Sequence, residues 1–441
     1  MSAFLLALDA GAQSSSGKWT LKECIDYAMA NNITLQKSKL TKQSSVEDFK
    51  QSKAALFPSL NFSTTHSIGY RPWVNSGTST VTNGTVATSI DKFYYNGSYG
   101  INASWTVWNG NQNRNTIKQN KLAVQQAELD SITSANSIQE QIVQLYVQIL
   151  YTNEAISVNQ QSYEISVKNE ERGKVMLEVG KMSKADVAQL TAQVAEDQYN
   201  VVEAKATLAN YKLQLKQLLE ITNETEFDVQ IPETSDEQAL EDIPSLMSVY
   251  EAAVATRPEI ENSKLAIQSS DLSIAIAKAG YLPTISLSGS VGTSTSSMSD
   301  FGWGTQMKTN FDAGIGASVS VPIFDNRSAK TAVNKAKIER EQSLLDLKDK
   351  QKELYSTIEG YWQDAYTNQA KYKAAKASVE SAQASYDLLS EQFRLGLKNI
   401  VELMTGKTNL LTAQQNKLQS KYTTILDQQL LKFYKGESID M

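Results

Sequence analysis

The sequence predicts a mainly α-helical protein that is built as a tandem duplication and carries two pairs of amphipathic β-strands. Three observations predict this: long charged stretches without proline, four segments that alternate apolar and polar residues, and short sequences that recur half a chain apart. The clearest recurrence is EVGKMSKADV at 178–187 with RLGLKNIVEL at 394–403. Their glycines, Gly180 and Gly396, are 216 residues apart.

The composition limits the classes of function. The chain has 441 residues and a net charge of −6, which gives no reason to expect a nucleic-acid partner. No run of 18 apolar residues occurs, so no transmembrane helix is predicted. Cys24 is the only cysteine, and apolar neighbours at helical spacing favour a buried thiol. His66 is the only histidine, so neither a His-ligated metal cluster nor a Ser–His–Asp relay can form within one chain. We therefore predict no enzyme activity, no metal and no cofactor.

Residues 1–18 resemble the end of a secretory signal. A short apolar core is followed by the small residues Ala10-Gly11-Ala12, as at a cleavage site, but a basic segment before the core is missing. The segment is either a truncated signal or an artificial edge of the chain. In the first case the protein is exported.

The first repeat, 19–219, contains a strand pair and a long helical hairpin. Segments 59–70 and 95–107 alternate strictly, with one apolar and one polar face each. Residues 114–180 contain no proline and, as a helix, would be about 100 Å long. Apolar residues at seven-residue spacing predict that this helix and the one after Gly180 pack side by side.

The same order recurs in the second half. LFPSLNFS at 56–63 returns as YLPTISLS at 281–288, and the predicted strands are 284–292 and 310–322. A second proline-free helix leads to a hairpin tip near Gly396. The predicted segments after the first repeat are an acidic insertion at 220–244, a second repeat at 245–431 and a C-terminal tail at 432–441.

The apolar faces of the four strands need a partner. Four strands cannot close a barrel, whereas three chains would supply twelve, an even number that can close. Aromatic residues flank both strand pairs, as in the aromatic girdles of outer-membrane barrels. We therefore expect these faces to contact lipid. A solvated sheet packed on helices is the alternative.

These features together resemble the TolC-type outer-membrane efflux channel family. The resemblance covers about residues 20–435, and VPIFDNR at 321–327 and the two hairpin tips are its most specific parts. It implies a homotrimer with a 12-stranded barrel in the outer membrane, continued by an α-helical barrel in the periplasm. The insertion and tail would form an equatorial belt, and loops 71–92 and 293–308 would face outward.

The resemblance also assigns a gate at the hairpin tips. The matching positions are Glu402 for an acidic ring that constricts the pore and selects cations, and Asp186, Lys398 and Phe393 for a latch. Repulsion within the ring would raise the pKa of Glu402, and Lys398 could bridge to Asp186 across neighbouring hairpins. Two features depart from the family: Thr405 stands where a second acidic residue is common, and Phe393 where tyrosine is common. Each charged residue could instead be ordinary helix-surface charge.

Gly180 and Gly396 have a conformational role, because a tight helix-to-helix turn needs either a positive φ or a close approach of the backbone. In the family such tips dock a periplasmic adaptor, which works with an inner-membrane pump of the RND or ABC type. The function predicted is a passive exit duct for small-molecule efflux or type I protein secretion. The alternative is a non-conducting coiled-coil envelope protein or adhesin. The sequence does not choose between drug and protein as cargo.

Overall fold

The computed structural model describes residues 18–73, 80–81, 84–85, 91–222, 227–232 and 236–439. Residues 1–17, most of the segment that resembles a secretory signal, lie outside these residues. The helices are α1 (Leu21–Asn31), α2 (Ile33–Ala54), α3 (Gln112–Glu178), α4 (Lys184–Leu218), α5 (Leu246–Thr256), α6 (Pro258–Lys278), α7 (Trp303–Thr309), α8 (Ser328–Arg394) and α9 (Ile400–Lys435). The strands are β1 (Lys18–Trp19), β2 (Ser59–Tyr70), β3 (Thr80–Val81), β4 (Gly84–Thr85), β5 (Phe93–Asn109), β6 (Asp228–Val229), β7 (Thr284–Ser296) and β8 (Asp312–Ser320).

Two compact units divide the chain. The first draws on the chain up to Leu40, on Glu128–Ser263 and on the chain from Leu347 onward, and the second on Thr41–Ala127 and Lys264–Asp346. Helices α3 and α8 contribute to both units and are equally long, 67 residues each. The predicted fold class, mainly α with a duplicated strand pair, is confirmed. No helix in the described part of the chain is long and apolar enough to cross a membrane.

The first unit is a packed assembly of helices. Its largest apolar core joins α1, α3 and α4 and includes Cys24, which is fully buried as the sequence predicts. Burial raises the pKa of this thiol to about 12, so it stays protonated and unreactive. A second core joins α5, α8 and α9, where Val249, Ile358 and Leu431 have no exposed surface.

The described part of the acidic insertion belongs to the first unit and packs on other elements of that unit. Its strand β6 pairs in parallel with β1, and Gln369 of α8 donates hydrogen bonds to the carbonyl groups of Ala239 and Glu241. Asp236 forms ion pairs with Lys376 of α8 and Lys417 of α9. The insertion is thus tied to both helices of the second repeat.

The second unit contains a four-stranded antiparallel sheet in the order β2-β5-β7-β8. Where the sequence predicts 95–107 and 284–292, the strands extend further, to Asn109 and Ser296. Strand β8 is shorter than the predicted 310–322. Strand β7 and helix α7 occupy part of the predicted loop 293–308, and most of loop 71–92 lies outside the described residues.

Apolar residues face one another across all four strands. One row runs Phe62–Ile101–Val291–Ala313, and the next row joins Leu60, Ala103, Gly289 and Ile315. Most of the side chains in these rows are exposed in the single chain, where Phe62, Leu60 and Ile315 are 67%, 73% and 93% exposed. A bulge near the end of β5 places Trp108, not Val107, opposite Ile285, which corrects the predicted alternation.

Candidate functional site

Both hairpin tips are built by the same backbone motif. Gly180 has φ +73° and Gly396 has φ +76°, so both occupy the left-handed region, as predicted. The Gly180 amide donates to the Leu177 carbonyl and the Lys181 amide to the Met176 carbonyl, at 3.0 and 2.8 Å. This pair of bonds is a Schellman motif, which ends α3.

The second tip repeats these bonds. The Gly396 amide donates to the Phe393 carbonyl at 2.9 Å, and the Leu397 amide donates to the Gln392 carbonyl at 2.8 Å. Nothing lies within 4 Å of a Cβ placed on either glycine. The glycines are therefore required for their backbone conformation and not for lack of space.

Asp186 and Glu402 both belong to capping boxes at the start of the returning helices. Ser183 accepts a hydrogen bond from the Asp186 amide, and the Asp186 carboxylate accepts bonds from the Ser183 amide and hydroxyl group. Asn399 and Glu402 make the equivalent backbone bonds at the start of α9. Both predicted gate carboxylates thus have a local structural role, because each satisfies an unpaired N–H group at a helix N-terminus.

Lys398 is bonded to Glu402 within its own tip. Its ammonium group lies 2.5 Å from Glu402 Oε1, at the i,i+4 spacing that favours such pairs. The Lys398 bond and the Asn399 amide hold the pKa of Glu402 below its ordinary value. Within one chain Lys398 is not bonded to Asp186. The raised pKa expected for a ring and the Lys398–Asp186 bridge both concern contacts beyond the single hairpin, and both stay predictions.

Phe393 is buried and packs the two hairpins together. Its side chain is 2% exposed and belongs to a cluster that we call the tip core. The buried members of the tip core are Leu190, Tyr386, Phe393, Ile400, Leu403 and Leu410. The tip core combines residues from α4, α8 and α9. The latch role of Phe393 stays a prediction, and this packing is the contact through which it would act.

A glycine–leucine contact holds the helices together in each hairpin, with the two residues exchanged. In the first hairpin, a Cβ on Gly173 of α3 would lie 2.5 Å from Leu190 of α4. In the second, a Cβ on Gly406 of α9 would lie 2.6 Å from Leu389 of α8. The repeat offset of 216 relates Gly173 to Leu389 and Leu190 to Gly406. In both hairpins a glycine of one helix therefore faces a leucine of the other, but the glycine lies on the outgoing helix α3 in the first hairpin and on the returning helix α9 in the second.

The tips also present apolar side chains to the surface. Val179 and Leu395, which directly precede the two glycines, are 63% and 59% exposed, and Leu397 is 71% exposed. Among the described residues, no group of three or more His, Cys, Asp or Glu is placed to hold a metal ion. The tips thus combine exposed apolar residues with a few charges.

Two sets of residues at the hairpins were missed in the sequence. The Ser-x-x-Asp and Asn-x-x-Glu spacings of the capping boxes are readable signals that mark the start of α4 and α9. A buried ion pair between Asp197 and Lys407 was also missed. Both residue types are ordinarily exposed, so neither residue on its own gave a signal of burial.

Two repeats of a strand pair and a long helical hairpin, with an exposed apolar sheet face and glycine-closed tips, define a protein of the outer-membrane channel class. The model of the family described as outer membrane efflux protein matches residues 24–220 and 249–437. The chain belongs to this family. It is an outer-membrane efflux channel protein and not an enzyme.

Individual relatives agree with this assignment. The chain is 21% identical over 357 residues to the outer membrane efflux protein BepC of Brucella suis biovar 1 (strain 1330), covering 81% of this chain and 75% of the relative. It is 22% identical over 441 residues to the outer membrane protein TolC of Escherichia coli (strain K12), covering 97% of this chain and 84% of the relative. Among solved structures it resembles CusC, with a TM-score of 0.79 and 16% identity over 95% of this chain and 92% of the other.

Proposed function

We propose that three copies of the chain form a passive channel whose sheets close into one 12-stranded barrel. The observation that carries this proposal is the state of the sheet edges. Strands β2 and β8 are the outer strands, and each has one edge without a ladder partner in the described part of the chain. An open edge invites pairing with another chain. Pairing β8 of one copy with β2 of the next removes every edge and leaves the apolar rows facing lipid.

In this proposal the hairpin tips form the periplasmic entrance and, at rest, narrow it to an opening that passes small ions but not the cargo. A periplasmic adaptor docks on the exposed apolar side chains at the tips and, with an inner-membrane pump, opens the entrance. The exposed Val179, Leu395 and Leu397 fit such a contact because they would be covered on docking. The cargo is a small molecule or a secreted protein that the pump delivers.

Three copies of Glu402 around the axis would form the selectivity ring. Each Glu402 has its own Lys398 at 2.5 Å, so the ring would contain three ion pairs and not three bare carboxylates. Cation preference then depends on the balance between the two residues. Removing the lysine should strengthen cation preference, and removing the carboxylate should weaken it.

Planar-bilayer recording of the purified protein tests these proposals. We expect stepwise conductance from the wild-type protein and a reversal potential in a KCl gradient that indicates cation preference. Glu402→Ala should move the reversal potential toward zero, and Lys398→Met should move it further from zero. No conductance from correctly assembled protein would overturn the channel. Unchanged selectivity in both variants would overturn the ring and leave these residues as a helix cap with its ion pair.

A further inference from the structure

A second charged pair lies in the first unit, just beyond the turns at the tips: Asp197 follows Gly180 by 17 residues and Lys407 follows Gly396 by 11. Lys407 of α9 is 5% exposed and forms an ion pair with Asp197 of α4, which is 2% exposed. Lys407 also donates to Ser166 Oγ of α3 at 2.6 Å, and Ser166 donates to Asp197 Oδ2 at 2.5 Å. Three helices therefore meet at one buried charge pair.

The remaining acceptor positions of the Asp197 carboxylate are also occupied. Its Oδ1 accepts a bond from Gln193 Nε2 at 3.2 Å and a longer one, 3.5 Å, from the Ser162 hydroxyl group. A buried charge persists only when it is paired and hydrogen-bonded in this way. Burial still lowers the pKa of Lys407, because the low-dielectric interior disfavours the ammonium form. A shift of α9 relative to α3 and α4 would therefore break several of these bonds and leave a buried charge without its partner.

The pair occupies core positions of the supercoiled helices. Ile400, Leu403, Lys407 and Leu410 are buried at alternating spacings of three and four, so the lysine stands at an inward position of the heptad pattern. On α3 the buried residues that follow this spacing are polar, namely Asn159, Ser162, Ser166 and Asn169. We call these four residues the polar seam. The polar seam itself therefore places small or polar side chains against the inward face of α9, while Ile165 beside it packs on the tip core.

The pair is absent from the other copy of the repeat. The position equivalent to Lys407 is Thr191, which is exposed and bonded to Glu170, and the position equivalent to Asp197 is Ala413. The charges therefore do not support the hairpin fold itself, which both repeats share. They distinguish the contact between the hairpins, where α9 of the second repeat meets α3 and α4 of the first.

Buried ion pairs contribute little net stability, and their best-attested role is to specify one alignment of packed helices. We propose that Lys407 and Asp197 are positioning residues that hold α9 against the first hairpin in the closed channel. Opening would separate them, so that the pair favours closure until docking at the tips supplies the compensating energy. This inference rests on the proposed gated channel.

Single-channel recording of assembled trimers tests the inference. Removing one partner of a buried pair leaves the other uncompensated, so Lys407→Met should shift the closed-to-open equilibrium toward open by on the order of a hundred-fold. We expect Lys407→Met and Asp197→Asn to raise the open conductance or open time alike. Lys407→Arg, which keeps the charge, should behave like the wild-type protein. Lys350→Met is the matched control, because Lys350 is an exposed lysine paired with Glu353 on the surface of α8.

The outcomes separate this inference from the proposed function. If the wild-type protein assembles but does not conduct, the channel proposal itself fails. If it conducts and both Lys407→Met and Asp197→Asn gate like the wild-type protein, the positioning role is overturned. A purely structural role would lower the yield of trimers without changing the conductance of those that form. If Lys407→Met does not assemble, the nearly isosteric Asp197→Asn decides the question.

Discussion

Replacing Phe393 by alanine should loosen the hairpin tips locally. The phenylalanine side chain is 2% exposed and contacts the other members of the tip core. Burial of a phenylalanine removes about 150–250 Å² from water, and Phe→Ala in a core typically costs about 3–5 kcal/mol. The tip core is small and confined to the hairpin ends. We therefore expect the loss to appear as local opening and not as global unfolding.

Hydrogen exchange followed by mass spectrometry measures this opening. In assembled Phe393→Ala protein, amides of peptides from the ends of α8 and the start of α9 should exchange about 10²–10³ times faster than in the wild-type protein. Peptides from the β-sheet should not change. The matched control is Leu388→Ala on the same helix, because Leu388 is 60% exposed and its removal should cost less than about 1 kcal/mol.

Equal exchange in Phe393→Ala and wild-type protein would refute the reasoning, since it would mean that the tip core does not hold the hairpins together. Equal acceleration by Leu388→Ala and Phe393→Ala would also refute it. In that case burial within the single chain would not determine which side chain matters.

Three further predictions concern single residues. Burial and a neighbouring carboxylate raise the pKa of Asp427 to about 7 from 3.8, so the stability of the wild-type protein should fall as the pH rises between these values. Asp427→Asn should remove this loss, which is worth up to about 4 kcal/mol at pH 8. Equal thermal stability of the variant and the wild-type protein at pH 8 would contradict the prediction. Gly180→Ala and Gly396→Ala should each cost about 1 kcal/mol of local stability at the tip, measured by hydrogen exchange, and stabilisation by either would contradict the positive φ. The latch role of Asp186 predicts that Asp186→Ala raises the channel conductance. Ser183→Ala is the control, because it removes the helix cap and keeps the carboxylate, so the same rise in this variant would assign the effect to the lost cap.

The repeat made most of the fold predictable. Because period-two and period-seven patterns report directly which face of an element is buried, they placed the four strands and the two long hairpins. The positive φ of Gly180 and Gly396 followed from the need to reverse the chain within a few residues. The strand ends were less accurate, and the bulge that moves Trp108 into the apolar row leaves no mark in a simple alternation.

The local contacts of the tip residues were less predictable. Within the single chain Lys398 pairs with its i,i+4 neighbour Glu402, a contact that was not predicted from the sequence, and the bridge from Lys398 to Asp186 across neighbouring hairpins stays a prediction. The burial of Lys407 and Asp197 could not be inferred from residue type, because a buried charge is tolerated only when it is paired and the sequence does not show the pairing. The pairing depends on how α3, α4 and α9 pack together, which the sequence pattern does not specify.

The most direct test of the account is the molar mass of the detergent-solubilised protein by light scattering, corrected for bound detergent. The account predicts a protein mass of about 146 kDa, three times the 48.6 kDa of one chain, because only three sheets bring the strand count to twelve. A stable monomer that remains in solution without detergent would contradict it. The apolar rows of the sheet would then not face lipid, and the non-conducting coiled-coil interpretation would have to replace the channel.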